Sequence, residues 1–439
     1  MAAKKIDPQV PTPVPATPPK SLKAALAKSK TVTPGKVSAL TRARTALTKV
    51  LKEDHVVPLN DDMMTQSIPH LPTGSIIFDY AIGGKINRHG ISPCPGLPRG
   101  RITQLYGQNS SGKTTAALTI AASVCAAGGT VVYIDWEHEV VPQYAATLGV
   151  PIADESKFLL IQPDTLEEGM KIMLVMISEG VDLIVLDSVG AGVPDALVTR
   201  SIEDTGAQSR PGLVASIWST FLPQVKAAIA ASGTTILAIS QLRKTISSMS
   251  GGGPDSAPQG GEAWKYYTTV RIMLRVFQKE KAKQFDNLTG KTEDKVVGSI
   301  VILKMEKCKV SESMNNEFKF YLRNGYGIDN TRSVAELAIS YKIIQKGGSW
   351  YTWPSGGPRG DIKTQGMEPL LKILNEDPPL LALLFSQVTP KLMAAPSNTE
   401  IVDEEEVEAL DMDELLGSVP GTVKKKPVSD GEEADPDLG

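Results

Sequence analysis

Residues 101–128 contain the feature that most limits how this chain can fold. The apolar segment RITQLYG (101–107) has the pattern of a buried strand, and KTTAALTIAASVCAAG (113–128) that of a helix closed by glycine. Between them, GQNSSGKT (107–114) fits the pattern G-x-x-x-x-G-K-[ST] of a phosphate-binding loop. A loop of this kind between a strand and a helix predicts an α/β fold that binds a nucleoside triphosphate.

The residues of the loop suit contact with phosphate. Gly107 and Gly112 allow the backbone to curl so that its N–H groups point at phosphate oxygens, and the helix N-terminus adds its positive end. Lys113 is expected to reach the β- and γ-phosphates, and the Thr114 hydroxyl is expected to bind Mg²⁺. The predicted nucleotide-binding residues of the loop are Gly107, Gln108, Asn109, Ser110, Ser111, Gly112, Lys113, Thr114 and Thr115.

Carboxylates that follow apolar strands supply further candidates. Asp187 ends the apolar run LIVLDS, where a carboxylate that organises Mg²⁺ is expected to act through a water molecule. An aspartate that only caps the strand is the alternative. The segment YIDWEHE offers Asp135, Glu137 and Glu139 for orienting or deprotonating a water molecule. Spacing alone does not choose among these three acids.

Strand and helix signals alternate beyond the loop. The predicted strands cover 130–135, 181–188 and 234–240, and the predicted helices cover 167–180 and 212–233. This alternation predicts a central, mostly parallel sheet with helices on both faces. Two long polar segments rich in Gly and Ser, 196–212 and 243–261, interrupt it, and such segments are either functional loops or disordered.

Composition divides the chain further. The predicted units are a disordered Pro/Ala/Lys-rich arm (1–36), a region with an amphipathic helix at 38–53 (37–70), the nucleotide-binding core (71–330), a small C-terminal domain (331–395) and an acidic disordered tail (396–439).

Charge is distributed unevenly. Residues 1–52 carry eleven Lys or Arg and one acid, whereas residues 400–439 carry fourteen Asp or Glu and three Lys. These ends indicate contact with a polyanion, unless they only solubilise the chain. The sequence lacks an apolar run of about 20 residues and a signal peptide, and its three scattered cysteines favour reduced thiols. These features predict a cytoplasmic protein without a membrane span.

A series of blocks, in order, resembles the bacterial RecA recombinase family, and the chain is similar to a divergent or phage-encoded member. The blocks are LPTGSIIFDYAIGG, LPRGRITQLYGQNSSGKTT, YIDWEHEVVPQYAATLGV, QPDT, LIVLDSV, AISQLRKTI, GGEAWKYYTTVRIMLR, LKMEKCKV and LAISYKIIQKGGSWYTWP. They cover roughly residues 70–355, and their ordered occurrence is more specific than any one of them.

The resemblance implies a fold and an activity. The fold is a P-loop NTPase core of the RecA type, with an N-terminal helix for polymerisation and a small α+β C-terminal domain. The activity is ATP- and Mg²⁺-dependent homologous recombination, part of DNA repair and the SOS response. A DNA-dependent ATPase of this family forms helical filaments on single-stranded DNA and exchanges strands with a homologous duplex. Single-strand-binding and loader proteins would be accessory partners.

The resemblance also implies roles for individual residues. Glu137 falls on the glutamate that activates the attacking water, Tyr144 on the tyrosine that stacks on adenine, and Gln241 on the glutamine that senses the γ-phosphate. Lys307 and Lys309, in KCK, fall on two lysines that enter the neighbouring protomer's ATP site. On a strand this spacing would place both ammonium groups on one side. The expected catalytic residues are thus Lys113, Glu137, Gln241, Lys307 and Lys309.

The two polar segments match the family's DNA-binding loops. The implied DNA contacts are Arg243, Ile246, Gly260 and Gly261, with Arg200 and Arg210 as weaker candidates. The chain also departs from the family at Pro211, Ser216, Pro223 and Val141, and it carries the insertion KINRHGISPCPG (85–96). The changes at Pro211, Ser216 and Pro223 predict a DNA-contact set that is partly rebuilt, whereas Val141 replaces an acid that the family has near the adenine.

Two other functions fit part of this pattern. A ring helicase on the same fold would couple hydrolysis to unwinding and would usually carry an arginine finger instead of a lysine pair. A filament that coats DNA and binds ATP with little turnover would belong to a different class, and Glu137 argues against it.

Overall fold

The computed structural model describes residues 66–87, 89–198, 212–244, 256–286, 291–354 and 360–394, together with four separate positions between 40 and 46. Contacts divide the chain into residues 1–63 and 64–439, and the sheets and packed helices of the fold belong to the second unit. Apart from those four positions, the predicted arm and amphipathic helix lie outside the described residues, as does the acidic tail.

The described residues form fifteen strands and ten helices in the second unit. The strands are β1 (His70–Leu71), β2 (Leu97–Pro98), β3 (Ile102–Gly107), β4 (Val131–Asp135), β5 (Phe158–Ile161), β6 (Leu183–Asp187), β7 (Thr235–Lys244), β8 (Ser256–Pro258), β9 (Val270–Asp286), β10 (Lys291–Cys308), β11 (Glu317–Arg323), β12 (Gly327–Ile328), β13 (Gln345–Gly347), β14 (Trp350–Trp353) and β15 (Ile362–Gln365). The helices are α1 (Ile76–Gly83), α2 (Lys113–Ala126), α3 (Pro142–Thr147), α4 (Leu166–Ser178), α5 (Asp195–Val198), α6 (Leu213–Ser232), α7 (Ala263–Tyr267), α8 (Asn330–Ser340), α9 (Met367–Glu376) and α10 (Pro378–Met393).

One large mixed sheet organises the described residues. Its strand order is β12-β11-β10-β9-β3-β7-β6-β4-β5, and β8 pairs with β7. The strands from β3 to β5 in this order are parallel, and β9 is parallel to β3, whereas β10, β11 and β12 run antiparallel to their neighbours. Every residue of β3, β4 and β6 is buried, as expected for parallel strands covered on both faces. The predicted α/β fold with a mostly parallel central sheet is confirmed.

Helices cover both faces of this sheet. Apolar side chains of α2 pack into the hydrophobic cluster on one face, and those of α4 and α6 pack into the cluster on the other. By length and composition alone, α6 would be able to cross a membrane. In this fold, however, Trp218, Leu222, Val225 and Ile229 of α6 are buried against the sheet. The apolar character of α6 is therefore explained by packing in the core.

The strands β9 and β10 are longer than the sheet. β3 pairs with β9 only as far as Leu274, and β11 pairs with β10 only from Gly298 to Lys304. Beyond these points, residues 281–286 and 291–296 pair only with each other among the described residues, so they form a two-stranded ribbon. The ribbon exposes Lys281, Lys283 and Lys295 to solvent.

The elements after residue 330 comprise α8, α9, α10 and the antiparallel sheet β13-β14-β15. Their apolar residues, among them Trp353, Leu374 and Leu384, belong to the same hydrophobic cluster as α1 and α2. The amide of Ile76 on α1 also donates to Asn330 Oδ1 at 3.1 Å. The core is thus continuous across residue 330, and the predicted boundary at that position stays a prediction.

A tight contact between Gly169 on α4 and Trp136 generates a stability prediction. A Cβ atom at Gly169 would lie 2.1 Å from Cζ2 of Trp136, which is far closer than van der Waals contact allows. Gly to Ala in a helix normally stabilises by about 1 kcal/mol, but overpacking costs about 1–3 kcal/mol. Because the contact is so short, we expect the cost to exceed the gain, so that Gly169→Ala lowers the free energy of unfolding by up to about 2 kcal/mol in chemical denaturation.

Two further variants control this experiment. Ser178→Ala, at an exposed position on the same helix, should change the free energy of unfolding by no more than about 0.5 kcal/mol. Trp136→Phe combined with Gly169→Ala should recover part of the loss, because the smaller ring leaves space for the methyl group. A stabilised Gly169→Ala variant would contradict the contact.

Candidate nucleotide site

The candidate site lies where β3, β4 and β6 end and where β7 leaves its parallel neighbours. Gly107 of β3 pairs with Gln241 of β7, and Asp135 of β4 pairs with Asp187 of β6. Because β7 and β6 are also neighbours, all four residues lie along the carboxyl edge of the sheet. Ligands of open α/β sheets bind at this edge.

The loop from Gly107 to Gly112 needs its glycines for close packing. A Cβ atom at Gly107 would lie 2.3 Å from the carbonyl oxygen of Leu274 and 2.7 Å from Ser111 Oγ. Gly112 has φ +87°, in the left-handed region, and a Cβ atom there would lie 2.2 Å from Leu322 Cδ1. The loop therefore curls tightly against β9 and β11, while Gln108, Asn109 and Ser110 stay exposed.

The start of α2 suits an anion. No side chain caps this helix, so the first N–H groups have no capping acceptor from Gly112. Lys113 is buried, and its Nζ donates to the carbonyls of Gln108 at 2.8 Å and Gly107 at 3.3 Å. Burial lowers the pKa of Lys113, whereas the charges of Asp187 and Glu137 oppose this shift. These donors fit the phosphates of a nucleotide.

Oxygen ligands for a hard cation lie beside the loop. Thr114 Oγ1 donates to Asp187 Oδ2 at 2.9 Å, and Tyr133 Oη donates to the same oxygen at 2.6 Å. Burial raises the pKa of Asp187 to about 6, although these two hydrogen bonds act to lower it. Among the described residues, no group of three or more His, Cys, Asp or Glu could hold a metal ion. Thr114 and Asp187 therefore suit Mg²⁺ that is held jointly with phosphates.

The three acids of YIDWEHE have different surroundings. Asp135 is buried and accepts hydrogen bonds from the amides of Glu137 (3.1 Å) and Val140 (3.2 Å) and from Gln162 Nε2 (3.0 Å). Its carboxylate thus shapes the turn after β4. Glu139 is exposed to solvent, and Glu137 is half-buried beside the loop.

Glu137 contacts two side chains from neighbouring strands. Its Oε1 accepts a hydrogen bond from Gln241 Nε2 at 2.8 Å and another from the Ser188 hydroxyl. The structure thus brings the predicted sensor and the predicted water activator into direct contact. Gln241 in turn accepts at its carbonyl from the amide of Gln259 at 2.9 Å, so β7 connects this pair to the end of the second loop.

The predicted adenine-binding residue lies on α3. Tyr144 Oη is 3.0 Å from Thr115 Oγ1 on α2, so the ring is held next to the loop. Val141, which precedes α3, is 54% exposed and brings no charge to this side of the site. A half-buried aromatic ring beside a phosphate-binding loop suits stacking against a base.

Lys307 and Lys309 lie toward the amino ends of β3 and β9 and not at the edge that carries the loop of their own chain. Lys307 pairs with Arg271 near the amino end of β9, whereas the loop follows the carboxyl end of β3. Lys307 Nζ contacts the carbonyls of Lys265 and Tyr266, and burial, followed by the charge of Lys309, lowers the pKa of Lys307 to about 8. β10 ends at Cys308, so Lys309 lies just beyond the strand.

Only some of the predicted DNA-binding residues are described. Gly260 and Gly261 follow β8 with φ +97° and +94°. Arg243 lies in β7 with its side chain outside the described residues, and Ile246, Arg200 and Arg210 lie outside them altogether. The structure extends the strand predicted at 234–240 to Lys244, because β8 pairs with residues 242–244.

Two site residues were missed by sequence reasoning. Ser188 follows Asp187 directly in the sequence, and this position next to a candidate carboxylate could have indicated that Ser188 belongs to the site. Tyr133 lies in an apolar strand, where a tyrosine is normally a core residue, and only the pairing of β4 with β6 brings it to Asp187.

Known proteins resemble this chain over most of its length. A family model described as the RecA N-terminal domain matches residues 38–319. Protein RecA of Frankia casuarinae is 36% identical over 360 residues, covering 82% of this chain and 94% of that protein. Protein RecA of Paenarthrobacter aurescens is 34% identical over 369 residues, covering 84% and 96%. Protein RecA of Nocardia farcinica is 37% identical over 328 residues, covering 74% of this chain and 84% of that protein. With this family model and these relatives, the chain belongs to the RecA family.

Proposed function

We propose that the site at the carboxyl edge of the sheet holds ATP and Mg²⁺, and that the bound nucleotide controls the grip on single-stranded DNA. As a member of the RecA family, the chain is a DNA-dependent ATPase and a homologous recombination protein. It forms filaments on single-stranded DNA and exchanges strands. The observation that carries the proposal is the contact of Glu137 with Gln241, whose strand leads into the second loop.

The loop residues 107–115 would hold the phosphates, with Lys113 Nζ turning from the carbonyls of Gly107 and Gln108 to the β- and γ-phosphates. Tyr144 would stack on the adenine. Mg²⁺, held by Thr114 and through water by Asp187, would neutralise charge on the phosphates. The uncapped start of α2 and the oxygen pair of Thr114 and Asp187 support this assignment.

Glu137 would orient and deprotonate the attacking water. In the structure its Oε1 is engaged by Gln241 and Ser188. If Gln241 turns toward a γ-phosphate, it releases Glu137 for the water and shifts the strand that precedes the second loop. One side chain would thus link phosphate sensing, hydrolysis and DNA binding.

DNA would be held by the two loops. Arg243, with the weaker candidates Arg200 and Arg210, would neutralise phosphates, Ile246 would wedge between bases, and the backbone at Gly260 and Gly261 would approach phosphate. The homologous duplex would be tested by base pairing against the bound strand. Single-strand-binding and loader proteins would act as accessory partners. The protein would work in the cytoplasm of a bacterial cell or of a cell infected by phage.

Lys307 and Lys309 would act in the neighbouring subunit. They lie near the opposite edge of the sheet from the loop of their own chain. In a head-to-tail filament such a surface meets the next subunit. Paired ammonium groups there would stabilise charge on the transferring phosphoryl group, as an arginine finger does.

Glu137→Gln tests the catalytic assignment. We expect turnover of ATP in the presence of single-stranded DNA to fall by about 10²–10⁴-fold, because the variant lacks the general base. Filaments should still form with ATP. The control is Glu139→Gln, at an exposed position beside the site, which should retain normal turnover. Normal turnover by Glu137→Gln would contradict the role of this residue.

Strand exchange between circular single strands and a homologous linear duplex separates the proposal from its rivals. We expect the wild-type chain to exchange strands with ATP. Filaments without exchange would favour a coating protein, and unwinding of a fork without homology would favour a helicase.

Mixing two inactive variants tests whether the lysines act between subunits. Glu137→Gln lacks the base, and Lys307→Ala/Lys309→Ala lacks the lysines, so each alone should be inactive. In randomly mixed filaments about a quarter of the sites combine an intact Glu137 with intact lysines from the next subunit. We expect the ATPase activity to return to about a quarter of the wild-type value in an equimolar mixture. An inactive mixture would count against action in the neighbouring subunit.

Tyr133→Phe tests the environment of Asp187 through pH. The ionised carboxylate is needed to hold water on Mg²⁺, so Mg²⁺-dependent binding of a fluorescent ATP analogue should weaken as pH falls through about 6, the pKa of Asp187. Tyr133→Phe removes a hydrogen bond that lowers this pKa, so the loss should begin at higher pH. Tyr341→Phe, just after α8, should keep the wild-type profile.

The same pKa predicts the opposite sign for folding without ligand. The pKa of Asp187 is raised from 3.8 to about 6 in the folded state, so the folded chain binds this proton more tightly than the unfolded chain. The stability that this group contributes is present at low pH and is lost as pH rises through about 6.

In the binding experiment, an affinity for the ATP analogue that stays constant between pH 5 and 8 would refute the assignment of Asp187.

A further inference from the structure

Three buried tryptophans connect the segment of Glu137 with the end of the second loop. Trp136 directly precedes Glu137, Trp218 lies on α6 and Trp264 on α7, and all three are at most 7% exposed. The rings of Trp136 and Trp218 meet edge to face with centroids 6.3 Å apart, and those of Trp218 and Trp264 are 4.9 Å apart. We call Trp136, Trp218 and Trp264 the tryptophan trio.

Hydrogen bonds attach the trio to the residues around Glu137. Trp218 Nε1 donates to the carbonyl of Val189 at 2.8 Å, and Val189 follows Ser188, whose hydroxyl donates to Glu137. The amide of Trp136 donates to the carbonyl of Asp187 at 2.8 Å, and its Nε1 donates to the carbonyl of Thr165 at 3.0 Å. A shift of Trp218 would therefore move Val189, which is adjacent to Ser188, the residue that donates to the Glu137 carboxylate.

The end of the second loop lies directly on the trio. A Cβ atom at Gly260 would be 2.8 Å from Trp264 Nε1 and 2.9 Å from Val189 Cγ2. Gly260 therefore touches both the ring of Trp264 and the residue that Trp218 holds. A Cβ atom at Gly190 would likewise lie 2.3 Å from Gln259 Oε1, so the same loop end also covers the segment after Ser188.

The packing leaves these groups little freedom to move separately. The indole of Trp136 fills the space that Gly169 leaves open, and Trp218 and Trp264 are fully buried between α6, α7 and the sheet. Close-packed interiors transmit a displacement to the next side chain because they contain few voids. A movement of Gly260 would therefore displace Trp264 and Val189 together.

We propose that the tryptophan trio consists of positioning residues that make hydrolysis at Glu137 respond to DNA bound in the second loop. The inference rests on the proposed role of Glu137. DNA that engages the loop moves Gly260 against Trp264, and the trio carries this movement to Val189, Ser188 and the Glu137 carboxylate. The path is separate from the Gln241 side chain, because it runs through α6 and α7.

Two substitutions test the trio while keeping the core apolar. Trp218→Phe removes the hydrogen bond to Val189, and Trp264→Leu removes the ring on which Gly260 rests. In both variants we expect the factor by which single-stranded DNA stimulates kcat to fall by about tenfold, within the usual range of coupling between sites. The melting temperature should fall by a few degrees in both variants, because each smaller side chain leaves a cavity at a buried position, whereas the DNA affinity should remain near the wild-type value. Phe221→Leu, which touches Trp218 from the same helix, serves as the control and should keep normal stimulation.

Intrinsic fluorescence gives a readout that does not depend on turnover. Two of the five tryptophans, Trp350 and Trp353, lie outside the trio, and replacing both by Phe leaves only the trio to emit. We expect the emission of the complex with a non-hydrolysable ATP analogue to change further when single-stranded DNA is added. Unchanged emission while anisotropy of labelled DNA reports binding would overturn the proposal.

Glu137→Gln separates a failure of this inference from a failure of the proposed function. Lost turnover in Glu137→Gln, together with normal DNA stimulation in both tryptophan variants, would overturn the trio alone. In the two tryptophan variants, the ATPase rates without and with DNA could fall by the same factor together with the melting temperature. This result would also overturn the inference, because the trio would then only fill the core. Normal turnover in Glu137→Gln would overturn the catalytic assignment and this inference with it.

Discussion

The parallel pairing of β3, β7, β6 and β4 is the constraint on which the site depends. Parallel strands end at the same edge of the sheet. Strand pairing therefore brings residues that are far apart in the chain together at this edge. The register sets Gly107 opposite Gln241 and Asp135 opposite Asp187. A slip of one residue between β4 and β6 would separate Asp135 from Asp187 and move a carboxylate away from the site.

The three carboxylates at this edge differ in their hydrogen-bond donors, and this difference suits them to different tasks. Amide groups satisfy Asp135, which therefore shapes the turn. Hydroxyl groups bind Asp187, whose burial raises its pKa. Glu137 is held by two side chains, Gln241 and Ser188. In the proposed function, Gln241 turns away from Glu137 toward the γ-phosphate. We propose that this last arrangement makes the Glu137 carboxylate available for chemistry.

The sequence was sufficient for the family, the fold class and the loop, because local patterns encode them. A strand, a glycine-rich turn and a helix are contiguous in the chain, and apolar runs with a terminal acid mark the carboxyl edge. It was not sufficient for Tyr133 or the tryptophan trio, because those contacts arise only when separate strands and helices superpose. The DNA-contacting residues and the domain boundaries stay predictions.

The position of Lys307 and Lys309 near the far edge of the sheet has a consequence for assembly. If each site borrows its lysines from the next subunit, an open filament always has one fewer complete site than it has subunits. The subunit at one end then carries a nucleotide that it cannot readily hydrolyse. The site of a free monomer is incomplete in the same way, because no neighbouring subunit supplies the lysines. The two ends of a filament would therefore lose subunits at different rates, which gives the polymer a kinetic polarity.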